Sequence, residues 1–245
     1  MKSIVVVPTY DEATNLPDLA GALLALPLPG LEMLVVDDAS PDGTGQLAET
    51  LAGAHPGRIH VRHRPGKLGL GTAYLEGFQQ AMDLGAEAVV QMDADFSHSP
   101  NYLPDFISQL ADYDVVVGSR YVPQGKLDQN WGRQRVLLSA WANLYARAIL
   151  GIRVHDATAG FKAWRAGALR GVGLDRICSN GYIFQVEMAY VTERLGYRVL
   201  ERPIFFEERR VGQSKMTTQV KLEAALRVWE VRMRHHSLTP ADRQL

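Results

Sequence analysis

The sequence predicts an α/β protein with a mainly parallel central sheet and helices on both faces, a three-layer, Rossmann-like arrangement. Three observations carry this. Short β-branched runs alternate with helix-length amphipathic segments through the first half of the chain. Each run is apolar throughout, as strands buried on both faces are. The runs also end in polar clusters, where sheets of this kind bind ligands.

The elements follow in order. Ile4 to Val7 is a first strand, ended by Pro8. Leu16, Leu19, Leu23 and Leu26 mark a helix over 14–26, stopped by Pro27 and Pro29. Met33 to Val36 is a second strand, running into Asp37 and Asp38. A helix over 44–53 and a short strand from Ile59 to Arg62 come next. Gly69-Leu70-Gly71 is a turn opening a helix from Thr72 to Leu84. Ala88 to Met92 forms a strand that ends at Asp93. A helix over 101–111 and a strand from Asp114 to Gly118 complete the alternation. No repeat, linker or low-complexity segment interrupts it. One domain over 1–236 is expected, with a disordered tail over 237–245.

Composition bounds the function. The chain has 245 residues, 47% apolar and 22% charged, which excludes a disordered chain, a collagen or a disulfide scaffold. With 26 Lys+Arg against 27 Asp+Glu, no global basic field asks for a nucleic-acid partner. Residues 198–245 hold 10 basic and 6 acidic side chains, so a modestly basic end follows an acidic body. The single cysteine, Cys178, forbids an intramolecular disulfide, fits a reducing compartment and reads as a small buried side chain. The first apolar run is too short for a signal peptide. No run reaches the ~18 apolar residues of a membrane span. The nearest, Val136 to Ile152, carries Asn143 and Arg147.

The strand ends carry the candidate chemistry. Asp93-Ala94-Asp95 leaves an apolar strand, and in extended backbone residues two apart face one side. Two carboxylates then converge as a hard divalent cation requires, Mg²⁺ or Mn²⁺, with phosphate oxygens completing the shell. Backbone capping in a turn is the competing reading. Ser97 could add an oxygen, whereas His98 reads as a loop residue because Mg²⁺ prefers oxygen. Asp38 could accept from a ribose or base edge, while Asp42 and Thr44 suit a turn and helix cap. A dinucleotide dehydrogenase needs G-x-G-x-x-G after a strand. The first strand is followed by Pro-Thr-Tyr, and Gly69-Leu70-Gly71-Thr72-Ala73-Tyr74 lacks the third glycine. A P-loop is also missing.

Eight motifs in order then carry a resemblance: VPTYDE (7–12), DDASPDGT (37–44), KLGLGTAY (67–74), MDADFSHSP (92–100), GSRY (118–121), DATAGFKAW (156–164), GYIFQVE (181–187) and RRVGQSKM (209–216). Spanning residues 4–216, the set resembles family 2 glycosyltransferases, and within them the dolichol-phosphate (polyprenol-phosphate) mannosyltransferases. The resemblance implies a GT-A fold, GDP-mannose as donor, a divalent metal and inverting transfer to a polyprenyl phosphate. It implies that Pro8, Tyr10, Glu12, Val36 and Asp38 hold the guanosine part. It places metal and diphosphate on Asp93, Ala94 and Asp95, with Ser97 as a further metal contact and Lys67 near the donor. Arg120, Arg135, Arg209 and Lys215 would gather the phosphates. Asp11 departs from the asparagine commoner in the first motif. Two rivals stand beside this reading: the same fold with another donor such as UDP-glucose, and a non-catalytic nucleotide-sugar-binding subunit.

A lipid acceptor must also be reached. Leu137, Trp141, Leu144 and Ala148 recur at helical spacing over 136–150, and Leu222, Ala225, Leu226, Trp229 and Met233 over 218–234, flanked by basic residues. Read singly, each is an ordinary core-facing helix. Read with the acceptor, they are amphipathic helices that seat a cytoplasmic chain peripherally on a membrane.

Overall fold

A computed structural model of the chain describes residues 1–208 and 218–244. Seven strands form the main sheet: β1 (Ser3–Thr9), β2 (Leu31–Asp37), β3 (Ile59–His63), β4 (Ala88–Gln91), β5 (Val115–Ser119), β7 (Lys162–Arg165) and β8 (Val199–Pro203). Their order is β3-β2-β1-β4-β7-β5-β8. All neighbours are parallel except β7, which runs antiparallel between β4 and β5. A two-stranded ribbon pairs β6 (Lys126–Leu127) with β9 (Phe205–Phe206).

Two helix layers cover the sheet. On one face α1 (Leu16–Leu24), α2 (Thr44–Ala54) and α4 (Leu103–Gln109) bury Leu16, Leu19, Ala48 and Phe106 against Val5, Val7 and Val35. On the other, α3 (Leu70–Asp83), α6 (Ala166–Val172) and α7 (Tyr182–Arg194) bury Tyr74, Phe78, Leu169 and Phe184 against Ile4, Val6 and Trp164. The alternation of Ile4 and Val6 with Val5 and Val7 across the two clusters explains the uninterrupted apolar run.

A further pair of helices packs outside α7. α5 (Arg133–Leu150) and α8 (Thr218–His235) meet it through Ala146, Leu150, Val186, Tyr190, Val228 and Val231. Here the apolar stripes face outward, not into the core as the competing reading of each helix would have it. Asn143 is buried, donating to Thr158 Oγ1 at 3.1 Å and accepting from the Thr158 amide at 3.2 Å. Meanwhile Leu137, Trp141 and Leu144 of α5, and Leu226, Trp229 and Met233 of α8, are all 47–70% exposed. The polar side chain is drawn inward because hydrogen bonds satisfy it there. Trp229 Nε1 donates to the Tyr145 hydroxyl at 3.0 Å, and that hydroxyl donates to the Ala225 carbonyl at 3.1 Å, tying the two helices together. No helix among the described residues is long and apolar enough to cross a membrane.

Two smaller expectations are corrected. Cys178 is exposed rather than buried. The segment from Ser237 to Gln244 is ordered. Thr239 and Asp242 form a reciprocal cap around a short 3₁₀ turn. Arg243 Nε donates to the Leu195 carbonyl at 2.8 Å, and its guanidinium lies over the Tyr197 ring. Polar anchoring of this kind leaves no apolar period in a sequence.

Candidate active site

The carboxyl ends of β1, β2 and β4 form one rim. Asp11, Ala39 and Phe96 on this rim all have positive φ, of 63°, 53° and 60°. This left-handed region is tolerated by Asp and Asn and strained for Phe. The departure at Asp11 therefore keeps a backbone preference shared with asparagine.

At the β1–β2 end, Pro8 pairs in register with Val36, and Lys67 Nζ sits 3.5 Å above the Tyr10 ring. Glu12 accepts from Asn15 Nδ2 at 2.8 Å. Asp42 Oδ1 accepts from the amide and hydroxyl of Thr44, and its Oδ2 from the Ala13 amide, so the expected Asx turn forms, while the helix cap falls on Gly43 and no side chain caps α2. Asp38 is buried and ion-paired with Arg64. Burial pushes its carboxyl up more than the guanidinium pulls it down. Arg64 was not a sequence candidate. Its side chain is fully buried, with Nε on Glu76 Oε1 at 3.0 Å and Nη2 on Thr72 Oγ1 at 2.6 Å. Nothing in a lone arginine after a short strand signals that role.

At the β4 end, Asp93 Oδ1 accepts from the Tyr74 hydroxyl at 2.8 Å. Ala94 is buried between the two aspartates. Asp95 Oδ1 accepts from the Ser97 amide at 3.0 Å and the Ser97 hydroxyl at 2.6 Å. Ser97 thus orients Asp95. A Cβ built on Gly160 would stand 3.3 Å from Asp93 Oδ2 and 3.5 Å from His98 Cε1, so glycine keeps space open beside that carboxylate. His98 is a loop residue, as expected, and is buried there against Phe161 and Phe206, with Nδ1 lacking a partner among the described residues. Burial holds its imidazole below the usual range despite Asp93 and Asp95. No third His, Cys, Asp or Glu joins the aspartates in a metal-ligating group among the described residues. Two oriented carboxylates with an open side fit a hard divalent cation that takes its other ligands from water and phosphate.

Arg120 and Arg135 complete the described part. The Arg120 guanidinium bonds both oxygens of Asp156, at 2.7 and 2.6 Å, and Thr158 Oγ1 at 2.8 Å. Burial would raise the Asp156 carboxyl, but Arg120 and the surrounding hydrogen bonds hold it below its ordinary value. Arg135 stacks 3.7 Å over Trp131 and pairs with Glu208 at 3.3 Å. A cavity of about 210 Å³ is lined by the polar Asp93, His98, Arg120 and Arg135 together with the apolar Leu138, Trp141, Ala142, Ala225 and Val228. Arg209 and Lys215 lie outside the described residues.

Comparison with known proteins decides the family. The model of glycosyl transferase family 2 matches residues 4–173. The chain belongs to glycosyltransferase family 2. This glycosyltransferase is 46% identical over 228 residues to an undecaprenyl-phosphate mannosyltransferase of Micrococcus luteus, covering 93% of each chain. It is 44% identical over 236 residues to a polyprenol monophosphomannose synthase of Mycolicibacterium smegmatis, covering 95% of this chain and 88% of the relative. Among solved structures, glucosyl-3-phosphoglycerate synthase of Mycobacterium tuberculosis, with Mn²⁺ and UDP, aligns with a TM-score of 0.65 at 19% identity, over 95% of this chain and 79% of that one. A mannosyltransferase of Pyrobaculum calidifontis with GDP-Man and Mn²⁺ aligns with a TM-score of 0.65 at 20% identity, over 98% of this chain and 66% of that one. These likenesses show the GT-A fold.

Proposed function

We propose that this glycosyltransferase moves mannose from GDP-mannose to a polyprenyl phosphate, with inversion at the sugar carbon. The observation that carries the reading is the cavity itself. It brings Asp93, Arg120 and Arg135 together with apolar side chains of α5 and α8, among them Trp141, which also reaches the exposed surface. A phosphate and a lipid tail match those two kinds of side chain. The names of the two curated relatives agree with this.

The chemistry follows from charge. A phosphate monoester has a second pKa of about 6, so it is already anionic near neutrality and needs no general base. Its oxygen attacks the sugar carbon while the bond to the diphosphate breaks, and the electron pair leaves with GDP. Both reactants are anionic, so cations must bring them together. Arg120, whose Nε–Nη2 edge is held by Asp156, and Arg135, held by Trp131 and Glu208, supply permanent positive charge. Arg209 and Lys215 belong to the same proposed set. Asp93 and Asp95 would hold Mg²⁺ or Mn²⁺, which would neutralise the leaving diphosphate. Pro8, Tyr10, Glu12, Val36, Asp38 and Lys67 would seat the nucleotide.

The outward apolar faces would rest at the surface of an anionic membrane, near the partly exposed Arg234, which also pairs with buried Glu187. A donor panel tests the reading. GDP-mannose should label polyprenyl phosphate and UDP-glucose should not; preference for UDP-glucose would overturn the mannose assignment and keep the fold.

A further inference from the structure

Lys162 is a charged side chain in a place that excludes water. It lies on β7, 1% exposed, beneath α7. Its Nζ donates to Gln185 Oε1 at 3.0 Å and to the Gln185 carbonyl at 3.3 Å. Burial pulls the amine down to about 7, against the opposing effect of Asp156. Gln185 is itself 3% exposed and lines the cavity with Asp93, Arg120 and Thr158.

In its ammonium form, which an amine near 7 keeps below about neutral pH, Lys162 only donates and so fixes which end of the amide faces it. With Oε1 held by Lys162, Gln185 has its NH₂ group to offer a ligand in the cavity. A sugar hydroxyl both donates and accepts, and could use either end of an amide. A phosphate anion only accepts, and a reversed amide would repel it. The fixed orientation therefore suits an anion.

We propose that Gln185 is a specificity-determining residue whose amide NH₂ binds an oxygen of the acceptor phosphate, with Lys162 as the positioning residue that keeps the amide from reversing. This rests on the polyprenyl-phosphate reading above. It adds to the arginines a neutral donor that recognises the phosphate without further charge.

Steady-state kinetics with a short-chain prenyl phosphate and GDP-mannose tests this. Gln185→Glu replaces the donor with an acceptor of the same shape. It raises the acceptor KM about tenfold or more, the value of a hydrogen bond to a charged group, and leaves the donor KM unchanged. Lys162→Met keeps the volume and frees the amide, raising the same KM by a smaller factor. In the Gln185→Leu background, Lys162→Met adds nothing further, because the group it orients is gone. Thermal melts confirm folding, and Lys162→Met serves alone if Gln185→Glu fails to fold. Variants that melt like wild type with unchanged acceptor KM overturn the proposal, as does an equal rise in both KM values. A wild type that transfers nothing to any prenyl phosphate overturns the functional reading and this assignment together.

Discussion

The Tyr74 hydroxyl donates to Asp93 Oδ1 at 2.8 Å, joining helix α3 to the first carboxylate of the proposed metal pair. The ring beneath that hydroxyl is fully buried, stacked on Phe78 and Phe184 at centroid distances of 5.6 and 5.9 Å. Burial and the Asp93 charge push the phenol well above its usual range, so it remains a donor at any working pH. Tyr74→Phe keeps the stack and removes the bond. We expect a turnover loss of about tenfold, partly recovered at higher metal concentration, from a lost hydrogen bond of about 1–3 kcal/mol. A Mg²⁺ titration of transfer in both proteins checks it.

Asp93→Asn and Asp95→Asn keep shape and hydrogen bonding but remove the charge. Each should lower turnover by a factor on the order of 10² or more, as loss of preorganised electrostatic stabilisation does. The melting temperature should stay close to wild type. Unchanged turnover would remove the metal role from these residues.

The Arg120–Asp156 pair is buried on both sides, at 9% and 0% side-chain exposure. Removing one partner leaves an uncompensated buried charge, so Asp156→Asn should cost about 3–5 kcal/mol in a denaturant titration. The pH dependence has a definite sign. The Asp156 carboxyl is depressed in the folded state, so its contribution is present above the unfolded value of about 3.9 and is lost as pH falls through the folded value. Stability measured down from pH 5 should therefore fall in wild type more steeply than in Asp156→Asn.

Leu144, Leu226 and Met233 are 63–70% exposed on the outer faces of α5 and α8. Converting all three to Asp should abolish flotation with anionic vesicles while the melting temperature holds. Transfer to a short, water-soluble prenyl phosphate should persist. A wild type that stays wholly in the soluble fraction would contradict the membrane role.

The strand ends were legible because burial on both faces leaves unbroken apolar runs, and each run stops where the ligand rim begins. Pro8, Asp38 and Asp93 could be placed that way. Strand β7 was not legible. It is four residues long, contains a buried lysine and inserts antiparallel between β4 and β5, none of which leaves a period in the sequence. The facing of α5 and α8 was also hidden. An apolar stripe shows that a helix is two-sided, but Asn143 turns inward only because Thr158 meets it across the fold. Tyr74, Gln185 and Asp156 stood inside motifs that could be quoted, yet their partners are 19 to 36 residues away in the chain.

The central claim is metal-dependent mannosyl transfer to a lipid phosphate through the shared cavity. Its most direct test is the passage of sugar label from GDP-mannose into the organic phase, with polyprenyl phosphate and Mg²⁺, with and without chelator. We predict label in the lipid that disappears with chelator and with Asp93→Asn. Label that stays in water under every condition, or lipid labelling indifferent to chelator, would contradict it.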